Sequence, residues 1–213
     1  NAYQPWPGSS NAHVMMPAVY HHNSDIMDVH LAVSRDGLMW HWPARAPFLS
    51  VGEPGSGYEG QVYAGVGLVP FGTGTWAFAV GRTPLTHNMV DPKFFPRPRM
   101  GEIWLATIRE DGLMALEAES HGECWTQPVS FRGAQLFVNC WSLAGGRLQI
   151  ELTEPDGKPL PGYSLTECDG LEGDQLWKPM RWHGRMDVSA LAGKSIRMHF
   201  VLTRMWLHAF RFV

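Results

Sequence analysis

The chain has 213 residues, 45% of them apolar and 17% charged, with a formal net charge of −3. That length holds one large β domain or two ordinary ones, and a near-neutral balance without a basic run argues against a nucleic-acid partner. No stretch approaches the roughly 20 apolar residues of a membrane-spanning helix, so no membrane partner is expected.

Taken in chain order, residues 1–12 are rich in Pro, Gly and Ser and predict an irregular lead-in. Residues 14–22 are apolar and aromatic and predict a strand. Residues 28–34 alternate Val29, Leu31 and Val33 with polar neighbours, the pattern of a half-buried strand. Asp36-Gly37 predicts a tight turn, with residues 38–42 returning as its partner strand. Residues 43–60 hold three prolines and predict a long surface loop, a length that often marks function. Strands are expected at 61–69 and 75–80, a second long loop at 82–99, and a second hairpin from 102–109 and 113–117. Beyond residue 118, strands are expected at 135–141, 147–154, 176–182 and 195–203, and the closing segment alternates Trp206, His208, Phe210 and Phe212. One helical turn is expected at 187–191 with Asp187 as N-cap. No long amphipathic helix is visible.

One phrase occurs twice: Leu31-Ala32-Val33-Ser34-Arg35-Asp36-Gly37-Leu38-Met39, then Leu105-Ala106-Thr107 leading to Asp111-Gly112-Leu113-Met114. A repeated strand–turn–strand unit is the mark of a propeller or related array. The expected fold is all-β: about two propeller blades over residues 1–118, then an antiparallel β-sandwich over 119–213. Propellers typically have about four to eight blades. Two blades therefore predict association with a partner, an exposed apolar patch on residues 14–110, or a rearrangement of that region.

Cys124, Cys140 and Cys168 are widely spaced and form no CxxC motif, so they read as small buried hydrophobes rather than zinc ligands or a disulfide framework. No cofactor and no metal are expected. The chain starts at Asn1 rather than Met, which implies a removed leader or a continuation upstream. The compartment stays open, a secreted or periplasmic location being the expectation.

Several phrases occur in the order found in one family. They are Asp28-Val29-His30-Leu31-Ala32-Val33-Ser34-Arg35-Asp36-Gly37 with Trp40, Arg45-Ala46-Pro47-Phe48-Leu49, and Tyr58-Glu59-Gly60-Gln61-Val62-Tyr63-Ala64. Later come Gly157-Lys158-Pro159-Leu160-Pro161-Gly162-Tyr163-Ser164, Trp182-His183-Gly184, Leu191-Ala192-Gly193-Lys194 and Phe210-Arg211-Phe212. Together they resemble bacterial glycoside-hydrolase-like proteins related to the five-bladed propeller enzymes of glycoside hydrolase families 32 and 43, which carry a C-terminal β-sandwich. The resemblance implies that this chain is the C-terminal portion of such a protein, with an N-terminal propeller half missing, and that its partner molecule is a carbohydrate. Residues 34–40 also resemble the Asp-box of sialidases, shortened by one residue, in which the aspartate serves turn architecture.

Glycoside hydrolysis usually uses two carboxyl groups, one a proton donor of raised pKa. Glu59 is the candidate donor: it follows the Gly/Pro-rich loop, opens an apolar strand, and Glu59-Gly60-Gln61 resembles the Glu-Gly-Pro motif of family 43, with Gln in place of Pro. A solvated loop-end carboxylate is the competing reading. Candidate substrate-binding residues are Tyr58 as a stacking platform, His87 beside Asn88 and Asp91, Arg45, and Trp40 among Trp42, Trp76 and Trp104. Asp25 and Asp28 read as turn and strand-edge carboxylates, either one a candidate second site carboxylate. His21 and His22 could line a sugar site or hold a metal, but neighbours on a strand face opposite ways. The leading expectation is a glycosidase-like protein, incomplete as this chain; the alternative is a non-catalytic carbohydrate-binding or structural β module.

Overall fold

The computed structural model describes residues 2–89 and 100–213. The chain is all-β, with three sheets, none of them closed, and no α-helix among the described residues. It divides into two compact units, Asn1–Ile108 and Arg109–Val213.

The first unit holds two sheets. One is antiparallel, in the order β1 (Ala2–Pro5), β2 (His13–Met16), β5 (Ala32–Ser34), β6 (Trp40–His41). The other runs β10 (Glu102–Arg109), β9 (Thr75–Thr83), β7 (Gln61–Ala64), β4 (Ile26–Val29), β3 (Ala18–His21), with β8 (Val69–Pro70) pairing on β9. Only a single parallel pairing, Met27 with Gln61, joins β4 to β7.

Two predicted strands each break in two, and the breaks face each other. Residues 14–22 split at Pro17 into β2 and β3, and residues 28–34 split at His30-Leu31 into β4 and β5. Pro17 has no N–H to give a ladder, while its carbonyl accepts the His30 N–H at 2.9 Å. At this junction both chain segments pass from one sheet to the other.

The first copy of the repeated phrase folds as expected. Ser34 pairs with Trp40. The Asp36 carboxylate accepts the N–H groups of Leu38 at 2.8 Å and Met39 at 2.9 Å, and Trp40 Nε1 donates to the Gly37 carbonyl. The second copy does not. Asp111 adopts φ 49° and Gly112 N–H bonds back to Arg109, but the strand after the turn, β11 (Leu116–Trp125), pairs with β14 (Arg197–Phe212) instead of returning along β10. The two copies therefore occupy unlike surroundings. Exposed apolar side chains are frequent on the first unit, among them Leu38, Met39, Trp42, Val66, Phe71 and three consecutive residues of edge strand β10, Ile103, Trp104 and Leu105.

The second unit is built on one antiparallel sheet in the order β11, β14, β12 (Leu136–Thr153), β13 (Gln175–Pro179). Leu136, Val138, Cys140, Leu148, Ile150 and Leu152 of β12 alternate onto its buried face beside Met198, Phe200 and Leu202 of β14. Tyr163, Cys168, Met180, Trp182, Val188 and Ile196 cover that face from a facing layer of turns and single bridges such as Cys168 with Trp182. The sequence reading divided β12 and β14 into two strands each. Both run through, because bulges absorb the interruption: register shifts between Ser142 and Arg147, opposite Arg204 at φ 45°. The bulge also switches the buried positions of β14 from even to odd, Leu202 to Met205. A side chain at Gly146 would meet the Arg204 carbonyl at 2.5 Å, so this crossing demands glycine. Two further expectations are corrected: β1 is a strand, and β11 fills a stretch with no predicted element after residue 117. The turn near 190 is a 3-10 turn, Ser189–Leu191, capped at Val188, with the Asp187 carboxylate accepting the Ser189 N–H.

The three cysteines are free thiols, two of them buried. Burial pushes the Cys140 thiol up to about 12, consistent with packing rather than reactivity.

Candidate functional site

Three assemblies in the first unit bring chemistry-bearing side chains together. The first lies on the 43–60 loop and the strands behind it. Gly52 N–H donates to the Tyr58 carbonyl, closing the loop tip, and a Cβ at Gly52 would strike the Tyr58 ring at 2.4 Å. The Arg82 guanidinium, from the end of β9, lies 3.1 Å from the Tyr58 ring centre and 4.4 Å from that of Trp104 on β10. The two ring centroids are 6.5 Å apart. Trp104 keeps 50% of its surface exposed, and its indole N–H donates to Glu102 at 2.6 Å. Beside the stack is a pocket of about 280 Å³ whose walls include Phe48, Leu49, Val62, Val80, Arg82 and Trp104.

Glu59 adjoins this assembly in sequence. Its carboxylate accepts the Gly57 N–H at 2.8 Å. Backbone N–H groups, its own first, hold the carboxyl below the ordinary glutamate range. That direction keeps Glu59 ionised, the opposite of what a proton donor at neutral pH requires.

The second assembly pins the start of the second long loop. Asp25, at φ 58°, accepts Tyr20 Oη–H at 2.9 Å, Asn88 N–H at 3.0 Å and Asn88 Nδ2–H at 2.7 Å, while its carbonyl accepts His87 N–H at 2.8 Å. The Thr86 hydroxyl and the Asn88 N–H hold the Asp25 carboxyl at about 2. His87 itself is exposed, its ring 5.1 Å from Tyr20. Asp91, grouped with His87 on sequence grounds, lies outside the described residues.

The third assembly is His21, Asp28 and His30. Asp28 Oδ2 is 2.9 Å from His21 Nε2, and Asp28 Oδ1 is 3.1 Å from His30 Nε2. Among the described residues this is the group of three His, Cys, Asp or Glu side chains close enough to share a metal ion.

The sequence-derived candidates are thus dispersed. Tyr58 joins the aromatic stack and Glu59 the adjoining turn. His87 sits on the Asp25 network. Trp40 packs edge-on to Tyr3 behind the Asp36 turn, and Arg45 is exposed on the loop that follows β6. Sequence reading missed Arg82 and His30. Arg82 opened a predicted loop and carried no motif. His30 stood inside a phrase that read as strand.

No family model matches the chain, and no curated protein matches it. Among solved structures, a glycoside hydrolase family 43 arabinoxylan arabinofuranohydrolase from Bacillus subtilis, in complex with cellotetraose, matches over 96% of this chain and 52% of that one, at 12% identity and a TM-score of 0.29. The chain spans about half the length of that structure.

Proposed function

We propose that this chain is a carbohydrate-binding β module of a glycosidase-like protein, with Tyr58, Arg82 and Trp104 as its sugar contact. The observation that carries this reading is the Arg82 guanidinium held between two aromatic rings at the edge of a pocket with apolar walls. Pyranose rings present C–H faces that lie flat on aromatic faces, and Trp104, half exposed, offers such a face. Arg82 fixes both rings by cation–π contact and brings planar N–H donors suited to sugar hydroxyls or a uronate carboxylate. Ligand sites commonly combine apolar walls with a few oriented polar groups.

The binding reading needs no proton donor, and backbone N–H groups hold the Glu59 carboxyl below the ordinary glutamate range. The link to glycosidases rests on the sequence phrases around residues 28–37 and 58–64. A glycan array tests the reading: the wild-type chain retains a defined set of glycans, and Tyr58→Ala and Trp104→Ala lose them. Retention unchanged in both variants contradicts the site. Hydrolysis of a bound glycan that disappears in Glu59→Gln would replace binding with catalysis.

A further inference from the structure

We infer that His21, Asp28 and His30 form a binding site for a divalent d-block cation, with zinc the expected occupant; this is independent of the glycan reading. The backbone places the three side chains together. In the antiparallel register of β3 and β4, His21 pairs with Ile26 and Val19 with Asp28. Cross-strand partners share a face, and so do alternate residues along a strand. His21, Asp28 and His30 therefore point to the same side of the hairpin, His30 standing where the chain leaves β4 for the other sheet.

The distances suit one ion. Donor atoms bound at about 2.1 Å stand roughly 3.0–3.5 Å apart in octahedral or tetrahedral geometry. The carboxylate meets one imidazole with each oxygen, His21 Nε2 at 2.9 Å from Oδ2 and His30 Nε2 at 3.1 Å from Oδ1, and one donor atom from each of the three residues lies within 4.8 Å of the other two.

The cluster is buried and incompletely paired. Asp28 is 5% exposed and His30 7%. Asp28 Oδ1 and both ring nitrogens of His30 are buried with no hydrogen-bond partner among the described residues. The 3.1 Å approach of His30 to Asp28 is thus out of hydrogen-bond alignment, two donor atoms side by side rather than a donor aimed at an acceptor. Buried polar atoms in folded proteins are almost always paired. A cation between them pairs Oδ1 and one His30 nitrogen at once, and the carboxylate offsets part of its charge.

The donor set selects the metal. Two imidazoles and one carboxylate suit zinc and its d-block neighbours, whereas calcium and magnesium prefer all-oxygen sites. The His21 side chain is 41% exposed, which leaves an entry path and room for solvent ligands. The His30 ring also packs against Trp42, their centroids 5.0 Å apart. A bound ion would clip the β3–β4 hairpin to the crossover at His30 and so stabilise the first unit.

The experiment uses the full chain, stripped with a chelator and titrated calorimetrically with zinc, then with cobalt followed by visible absorption. The expected result is one equivalent of zinc, a raised thermal midpoint, cobalt d–d bands, and no response to magnesium or calcium. Asp28→Asn and His30→Gln should each weaken zinc binding by at least about tenfold, while His22→Gln, an exposed side chain packed on Tyr20, should leave it unchanged. Absence of stoichiometric binding to the folded wild-type chain overturns the assignment, as does undiminished binding in Asp28→Asn. Should the variants fail to fold, the wild-type cobalt spectrum decides: d–d bands without thiolate charge transfer support the site, and a thiolate band assigns the metal to cysteine and overturns it.

Discussion

Arg82 lies with its guanidinium 3.1 Å from the centre of the Tyr58 ring, joining a loop tip to the end of a strand 24 positions on. The contact uses the flat, delocalised cation. Arg82→Lys keeps the charge but replaces the plane with a compact ammonium that is more strongly hydrated. The expected outcome is a small stability loss, about 0.5–1 kcal/mol in a urea titration, with a larger loss of glycan affinity because Tyr58 and Trp104 are no longer fixed. A variant that binds glycan as the wild type does would place the sugar elsewhere.

Acid should loosen the first unit through Asp25. Its carboxyl is lowered from 3.8 to about 2, by the Thr86 hydroxyl first and the Asn88 N–H second. A depressed folded value stabilises the native state above the unfolded value near 3.8, and the contribution disappears as pH falls through about 2. Thermal midpoints measured from pH 5 down to pH 2 should fall less steeply for Asp25→Asn than for the wild type. Parallel slopes would show that the hairpin is not held to the 86–88 segment by this carboxylate.

The core of the second unit should fail at Trp182. The side chain is 1% exposed, its indole N–H donates to the Ile150 carbonyl at 2.9 Å, and Tyr163 packs edge-on at 5.3 Å. Trp182→Ala should cost about 3–5 kcal/mol, and the orphaned Ile150 carbonyl adds to it. Denaturant unfolding followed by circular dichroism measures the loss. A change below 1.5 kcal/mol, about the most a volume-conserving core swap costs, would contradict the packing described.

The all-β class was legible in the sequence because turn residues punctuate short apolar runs throughout, and the Asp36 turn was legible because its hydrogen bonds are local. What was not legible is where strands change sheet. Val14 to His22 reads as one apolar run, and only the non-local bond from His30 N–H to the Pro17 carbonyl shows that it serves two sheets. The same limit misled the reading of the repeat. Asp111-Gly112 also turns the chain, though with Asp111 rather than the glycine at positive φ, and the partner of the following strand lies some 90 residues away, at Met205–Leu207. The two copies are alike in sequence and unlike in pairing. The Glu59 position was readable, but its clasp by backbone N–H groups was not, because that depends on the fold of the loop. His21 and Asp28 were each visible, yet their meeting with His30 depends on hairpin register, which no local pattern states.

Isothermal titration of the purified chain with oligosaccharides retained on the array asks whether Tyr58, Arg82 and Trp104 form the sugar contact. Saturable binding is expected of the wild type, undetectable in Tyr58→Ala and Trp104→Ala and preserved in Glu59→Gln. Binding that survives loss of both rings, or that depends on Glu59 and is accompanied by release of cleaved sugar, would contradict it.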